Sequence, residues 1–254
     1  MTKASAHDVA SCSVESHRPR IPGFLTRMPA SIDANQPPPD GAGDPIDTAA
    51  RFAALAHDRQ PLHADDTREL AQALTADAEP RVYVAALGAL VRGGAPTLSH
   101  RAWTAATIHT VPGIRRRAAE LSPQLESPSA APLIALVSDA DDLVAEAACW
   151  ASGEVPWSDP DRAGIVAAIV LATGHGDPLV REAAVAALGA IGDPAGLDAI
   201  LTACGDRPTV RRRAVLALAP FDGARVEEAL RAALEDSDWQ TRQAAEDLLG
   251  PTNE

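Results

Sequence analysis

The sequence predicts an all-α protein in which about seven helix pairs stack into a right-handed superhelical solenoid. Two observations predict this fold class. First, one pattern of residues recurs about every 30 residues over most of the chain. Second, Ala, Leu, Val and Ile supply most apolar positions, while aromatic residues make up only 3% of the 254 residues. Small side chains favour closely packed helices over sheets, and a repeat of this length is typical of stacked helical units.

The chain divides into two parts. We expect residues 1–44 to form a disordered arm, because they lack any periodic apolar pattern and contain Pro37, Pro38 and Pro39 in succession. The solenoid is predicted for residues 45–254. We expect neither a secretory signal nor a membrane-spanning segment, because no apolar run is long enough for either.

The recurring pattern is an apolar residue, or threonine in the last occurrence, followed four positions later by alanine. In the segment "DPLVREAAVAALGAIGD" it consists of Val180 and Ala184. Its other five occurrences are Val82 with Ala86, Ile114 with Ala118, Val144 with Ala148, Val210 with Ala214, and Thr241 with Ala245. The spacing of four residues places both positions on one face of a helix. Each occurrence therefore marks the first helix of one unit.

A second helix completes each unit. The first helix begins near a proline such as Pro178 and is interrupted by glycines such as Gly192. The segment "RVEEALRAAL" at 225–234 is an example of a second helix. Its apolar residues form one stripe, whereas Arg225, Glu228 and Arg231 are expected to face water. Residues 47–56 and 65–74 are predicted to form the earliest pair, and the last pair is incomplete.

The segments "DPLVREAAVAALGAIGDPAGLDAIL" and "RPTVRRRAVLALAPFDGARVEEALRAAL" resemble HEAT repeats, in particular the short phycobilisome-lyase-type HEAT-like repeat. The resemblance covers roughly residues 45–250 and is strongest over 177–249. It implies a curved scaffold that binds another protein on the concave surface formed by the second helices. Some proteins with such repeats bind a bilin, an iron pair or damaged DNA, so the fold alone does not select a function.

Two arginine triplets, residues 115–117 and 211–213, raise the alternative of nucleic-acid binding. The first arginine of each triplet occupies the position after the first residue of the pattern, a position shared by Arg115, Arg181, Arg211 and Arg242. The resemblance implies that these arginines form a structural ladder to acidic residues near the starts of neighbouring helices. The expected partners are Asp141, Asp177 and Asp238. The other triplet arginines are expected to lie on a solvated helix face rather than in an anion site.

Charge and cysteine content narrow the choice of partner and compartment. The net charge is -13, and Lys3 is the only lysine. Such a charge repels phosphates, so we expect no binding to nucleic acid or to anionic membranes. The three cysteines form no CxxC motif and are expected to be reduced, as in a cytoplasmic protein.

We find no motif that predicts a catalytic site or a cofactor. A di-iron site on such repeats would need repeated His-Glu dipeptides, and the sequence contains none. His109 and His175 share one position before the repeated pattern, where a hydrogen bond at the helix entry is expected and metal binding is the alternative. Of the tryptophans, Trp150 is expected to pack inside, and Trp157, in the loop "GEVPWSDPDR", is expected to be exposed.

These observations favour a non-catalytic scaffold or adaptor in the cytoplasm, without a cofactor. It would bind another protein through the second helices, with Trp157, Arg225, Glu228 and Arg231 as candidate contact residues. The alternative is an enzyme or enzyme accessory on the same scaffold, similar to a DNA-repair glycosylase or a bilin lyase. A positively charged groove in which a tryptophan and an aspartate converge would favour that alternative.

Overall fold

The computed structural model describes residues 44–57, 61–75 and 78–250. Apart from residue 44, the predicted N-terminal arm lies outside the described residues. The described part of the chain forms thirteen α-helices and contains no strand. Their bounds are α1 Pro45–His57, α2 Ala64–Ala73, α3 Pro80–Gly93, α4 Pro96–Thr107, α5 Pro112–Leu121, α6 Ala130–Val137, α7 Asp142–Glu154, α8 Asp159–Ala172, α9 Pro178–Ile191, α10 Leu197–Ala203, α11 Pro208–Ala217, α12 Ala224–Ala233 and α13 Trp239–Leu249.

The helices form six consecutive pairs followed by the single helix α13. The odd-numbered, first helices pack on one another in chain order and form one layer, from α1 on α3 to α11 on α13. The even-numbered, second helices pack against this layer, as α8 does on α9. The predicted all-α solenoid is confirmed, including the incomplete last unit. None of the helices in the described ranges is both long and apolar enough to span a bilayer.

Helix ends follow from local sequence. At the start of α9, Asp177 accepts a hydrogen bond from the backbone N–H of Leu179, and Pro178 occupies the first turn, where a backbone N–H would lack an intrahelical partner. The helix ends at Gly192, whose left-handed backbone (φ 67°) lets its N–H donate to the Leu188 carbonyl oxygen at 3.0 Å.

Alanine and glycine bring the first helices close together. The six alanines of the repeated pattern are all 0% exposed. A Cβ added to Gly189 of α9 would lie 2.7 Å from the Cα atom of Ala217 in α11. At Gly153 of α7, the corresponding distance to the Cα atom of Ala187 in α9 is 3.0 Å. The backbones are therefore nearly in contact, which explains the demand for small side chains at these positions.

Two apolar clusters fill the space between the layers. One extends from Phe52 to Leu121 and contains the buried ring of Trp103. The indole N–H of Trp103 donates to the Ala118 carbonyl oxygen at 2.8 Å, which satisfies the ring's only polar group. The other cluster extends from Ala119 to Ala245. The helix α5 contributes to both, so it joins the two parts of the core.

Three of the four ladder arginines lie against a carboxylate of the next unit. Arg115 donates to Asp139, Arg181 to Asp206 and Arg211 to Asp236, each through two guanidinium nitrogens. Each of these arginines also donates to a backbone carbonyl of its own loop. The ladder thus joins consecutive units at the ends of the first helices.

The partners named from the sequence were wrong. Asp141, Asp177 and Asp238 instead accept backbone N–H groups in the first turn of their own helices. A carboxylate in this position accepts hydrogen bonds from N–H groups of the first helical turn, which have no intrahelical acceptor. It is therefore not available to an arginine of another unit. Arg242 also differs from the prediction: it donates to the backbone carbonyls of Asp236 and Ser237. Because α13 is the last described helix, no further described unit supplies a carboxylate.

The ladder is interrupted where the sequence lacks the arginine. Tyr83 and Ala145 replace it in α3 and α7, and the next loop then carries His109 or His175 in place of aspartate. The rings of Tyr83 and His109 lie 5.0 Å apart between centroids. In both histidines, Nδ1 accepts a backbone N–H two residues ahead at 3.1 Å. The histidines therefore provide the loop hydrogen bond of the missing aspartate without its charge.

Candidate protein-binding surface

The prediction that Trp157 is exposed was wrong. Its side chain is only 6% exposed and belongs to the larger apolar cluster. The indole N–H donates to the Ser152 carbonyl oxygen at 2.8 Å. Ser152 lies in the last turn of α7, where backbone carbonyls have no intrahelical donor. The ring packs back on α7 because it can bury its apolar area and donate a hydrogen bond to a carbonyl oxygen at the helix end. Its polar neighbours in sequence did not indicate this position.

Trp150 has the opposite environment from the one predicted. It lies on the outer side of α7 and is 39% exposed. The guanidinium carbon of Arg213, on α11, lies 5.3 Å from the centroid of its ring. Arg213 also donates to Glu182 of α9 at 3.3 Å. An arginine two units away thus holds one face of the indole through a cation–π contact, while 39% of the residue stays exposed to solvent.

The outward position of Trp150 has a signal in the sequence. Trp150 stands six residues after Val144, and Leu216 stands six residues after Val210 in α11. Leu216 is 41% exposed, close to the value for Trp150. In two other units the same position holds a carboxylate, Glu120 or Asp247. Comparing the units position by position would therefore have indicated a solvent-facing tryptophan.

A groove of about 270 Å³ lies beside Trp150, between α5 and α7. Its charged lining residues are Arg116, Glu120, Glu146 and Glu154. Glu120 pairs with Arg116, whereas Glu146 and Glu154 have no arginine partner among the described residues and make this part of the surface acidic. Pro123 and Ala147 add apolar area next to the indole ring.

The remaining triplet arginines belong to the same outer face of the first helices. Arg116 and Arg117 both pair with Glu120, at 3.1 and 3.0 Å. Arg212 donates to the side-chain oxygen of Gln240 on α13. Two arginine atoms, the Nε atoms of Arg117 and Arg213, are buried without a hydrogen-bond partner among the described residues. The triplets therefore combine one ladder arginine with two residues of the outer face.

The candidate contact residues on α12 are exposed, as predicted, and two of them form ion pairs. Arg225 lies 2.8 Å from Asp198 of α10, and Arg231 lies 2.7 Å from Glu227 on the same helix. Glu228 is exposed on the same helix. Exposed ion pairs of this kind contribute only about 0–1 kcal/mol to stability. None of the three residues lines the groove beside Trp150.

The titratable groups of the described residues show no arrangement for metal or thiol chemistry. No group of three or more His, Cys, Asp or Glu side chains that could hold a metal ion occurs within the described ranges. Burial raises the pKa of the Cys149 thiol to about 12 and that of Cys204 to about 11. Both thiols are therefore poor nucleophiles at neutral pH.

The two-layered stack of helix pairs and its arginine ladder define an α-solenoid repeat protein. The family of HEAT repeats matches residues 130–219, and the PBS lyase HEAT-like repeat matches residues 210–236. Residues 130–236 of the chain therefore carry HEAT repeats. A search of curated proteins found no match.

Several solved structures share the fold. The protein YibA of Escherichia coli is 17% identical, with a TM-score of 0.57 over 80% of this chain and 73% of its own. A designed armadillo repeat protein, YIII(Dq)4CqI, is 16% identical, with a TM-score of 0.50 over 72% of this chain and 99% of its own. A further designed armadillo repeat protein, solved in complex with the peptide (KR)4, is 16% identical, with a TM-score of 0.50 over 78% and 97% of the two chains. At these identities the likeness concerns the fold.

Proposed function

We propose that this protein is a non-catalytic scaffold that binds another protein on the outer face of its first helices, with Trp150 at the centre of the contact. The exposed indole of Trp150, held by Arg213, carries the proposal. Tryptophan and arginine are the residues that most often dominate the energy of protein interfaces. A ring that is already held in place also loses little conformational freedom when a partner binds.

The charges around Trp150 favour a protein over a nucleic acid as the partner. Glu146 and Glu154 line the adjoining groove and would repel phosphates. The same carboxylates can pair with basic side chains of a protein. The designed armadillo repeat protein bound to (KR)4 supports the idea that a solenoid of this kind accepts a peptide. The cytoplasmic location expected from the unpaired cysteines stays a prediction.

The proposal differs from the surface inferred from the sequence. The tryptophan expected to contact a partner beside the second helices, Trp157, is buried and cannot do so. Arg225, Glu228 and Arg231 are exposed but lie in local ion pairs or on open helix surface. A glycosylase-like or lyase-like activity would need a site of its own, and no observation here favours one. The first-helix face is therefore the better candidate.

The test compares the wild type and three variants of the full chain as baits in a lysate of the source organism, with quantification of captured proteins by mass spectrometry. Trp150→Ala should abolish capture of the specific partner. Trp239→Ala is the matched control, because Trp239 is 64% exposed on another helix, and it should leave capture unchanged. The triple variant Arg225→Ala, Glu228→Ala, Arg231→Ala should also retain capture. Loss with the triple variant alone would instead place the interface on the second helices.

A further inference from the structure

A second, larger groove lies on the same outer face, between α1, α3 and α5. Its volume is about 740 Å³, within the range of sites that hold a ligand or several side chains of a peptide. The floor is apolar and consists mostly of small residues, among them Ala49, Ala53, Val84 and Ala85. Short side chains on two packed helices leave a shallow trough rather than a closed cavity.

Arginines surround this apolar floor. Arg81, Arg92 and Arg117 line the groove, and Glu120 is its only lining carboxylate among the described residues. Arg92 and Arg117 meet at Gly88: the Nη1 atom of Arg92 and the Nη2 atom of Arg117 each lie 3.4 Å from the position that a Cβ on Gly88 would take. The absence of a side chain at Gly88 thus lets two positive charges converge over apolar surface.

Within the described ranges, the arginine pair is incompletely neutralised. Arg117 donates through Nη1 to Glu120, which it shares with Arg116, and its Nε atom is buried without a partner among the described residues. Partial burial and the nearby charge of Arg117 both lower the pKa of Arg92. By contrast, the ladder arginines Arg115, Arg181 and Arg211 each pair with a separate aspartate. Two like charges on an apolar surface cost free energy unless an anion lies between them.

We propose that this groove binds an acidic segment of the partner protein, with an Asp or Glu carboxylate between Arg92 and Arg117 and aliphatic side chains on the alanine floor. The inference rests on the proposed function, because it assigns a chemistry to one end of the same binding face. Charge complementarity selects the occupant. In a chain with a net charge of -13, three arginines against one glutamate form a local exception that attracts carboxylates. Arginine is also the residue best suited to bind a carboxylate at two points.

Two synthetic peptides test the site on the full chain: acetyl-Leu-Glu-Glu-Leu-amide and its isosteric counterpart acetyl-Leu-Gln-Gln-Leu-amide. The reporters are the ¹³C-labelled alanine methyl groups of Ala53 and Ala85 in NMR titrations. The acidic peptide should shift both signals in a saturable manner. The glutamine peptide should bind about tenfold more weakly, because it cannot form charge-assisted hydrogen bonds.

Three variants locate the anion. Arg92→Gln and Arg117→Gln should each weaken binding of the acidic peptide about tenfold. Arg212→Gln is the matched control: it removes one arginine of the same outer face that pairs with Gln240 and does not line the groove, so the affinity should stay unchanged. Equal binding of both peptides, no shift at all, or insensitivity to Arg92→Gln and Arg117→Gln would each overturn the proposal.

Other occupants would give different results. Shifts of the two methyl signals that depend only on protein concentration would place a second copy of the chain in the groove. Shifts caused by Asp33→Asn or Asp40→Asn without peptide would place the chain's own N-terminal segment there. Either result overturns the proposal. Loss of partner capture with Trp150→Ala tests the wider face independently, so failure of the groove leaves the proposed function intact.

Discussion

Arg181 on α9 and Asp206, just before α11, form a two-point ion pair that joins consecutive units. The Nε atom of Arg181 donates to Oδ2 of Asp206 at 2.7 Å, and Nη2 donates to Oδ1 at 2.9 Å. The two side chains are 15% and 22% exposed, so water screens the pair only partly. We expect Asp206→Asn to lower the free energy of unfolding by about 1.5–3 kcal/mol, the range for hydrogen bonds to charged groups. Urea denaturation measures the loss.

A double-mutant cycle with Arg181→Met isolates the pair itself, because the two single losses should not add. The matched control is Arg231→Met, which removes an exposed pair with Glu227 and should cost no more than about 1 kcal/mol. Equal losses at the two sites would show that the ladder contributes no more than a surface ion pair.

The ladder also predicts how stability depends on pH. The hydrogen bonds from Arg115, Arg181 and Arg211 hold the pKa values of Asp139, Asp206 and Asp236 below the usual value, although partial burial opposes this. A carboxylate whose pKa is lower in the folded state than in the unfolded state stabilises the folded protein at pH values above the unfolded-state pKa. This contribution is lost as the pH falls through the folded-state pKa. We expect the free energy of unfolding to change little above about pH 5 and to decrease below about pH 4.

Urea denaturation at a series of pH values measures this dependence. In Asp206→Asn the decrease on acidification should be smaller than in the wild type, because one titrating carboxylate is gone. An identical slope in the two proteins would mean that other carboxylates cause the acid sensitivity.

The close approach of α9 and α11 gives a prediction for Gly189. An added methyl group would lie 2.7 Å from the Cα and Cβ atoms of Ala217. The backbone of α11 fixes both atoms, so neither can rotate aside. Gly189→Ala should therefore destabilise the protein by about 1–3 kcal/mol, the usual cost of overpacking. Hydrogen exchange should show the lost protection mainly in α9 and α11, because a repeat contacts only its neighbours.

Gly113→Ala provides the matched control. Gly113 also lies in a helix, but a Cβ there would have nothing within 4 Å. Its replacement should stabilise the protein by about 0.5 kcal/mol through the higher helix propensity of alanine. If both substitutions had the same sign, the first helices would not be in backbone contact at Gly189.

The two tryptophans of the α7 region should respond differently to the same substitution. Trp157→Phe leaves the Ser152 carbonyl oxygen without its donor and opens a gap in the core, which should cost about 1–3 kcal/mol. Trp150→Phe should change stability by no more than about 0.5 kcal/mol, because the ring lies at the surface. Urea denaturation followed by far-ultraviolet circular dichroism compares the two variants. A larger loss for Trp150→Phe would reverse the assignment of inner and outer tryptophan.

The sequence by itself determined the helical pairs and their order. The spacing of Val180 and Ala184, repeated in each first helix from α3 to α13, places these positions on one side of a helix, and this depends only on helical geometry. Proline, aspartate and glycine determine the helix ends through hydrogen bonds within a few residues. The position of Arg181 recurs as arginine in other units, and the resemblance to HEAT repeats implied that it is a ladder residue.

Only the tertiary structure decided which side chains meet across units. Asp206, rather than Asp177, receives Arg181 because Asp177 already accepts the N–H of Leu179 at the start of its own helix. Trp157 is buried because the ring can reach the carbonyl of Ser152, whereas Trp150 on α7 stays 39% exposed. Arg213 reaches Trp150 only because α7, α9 and α11 pack side by side. These contacts depend on the distances between helices far apart in sequence, which local periodicity does not specify.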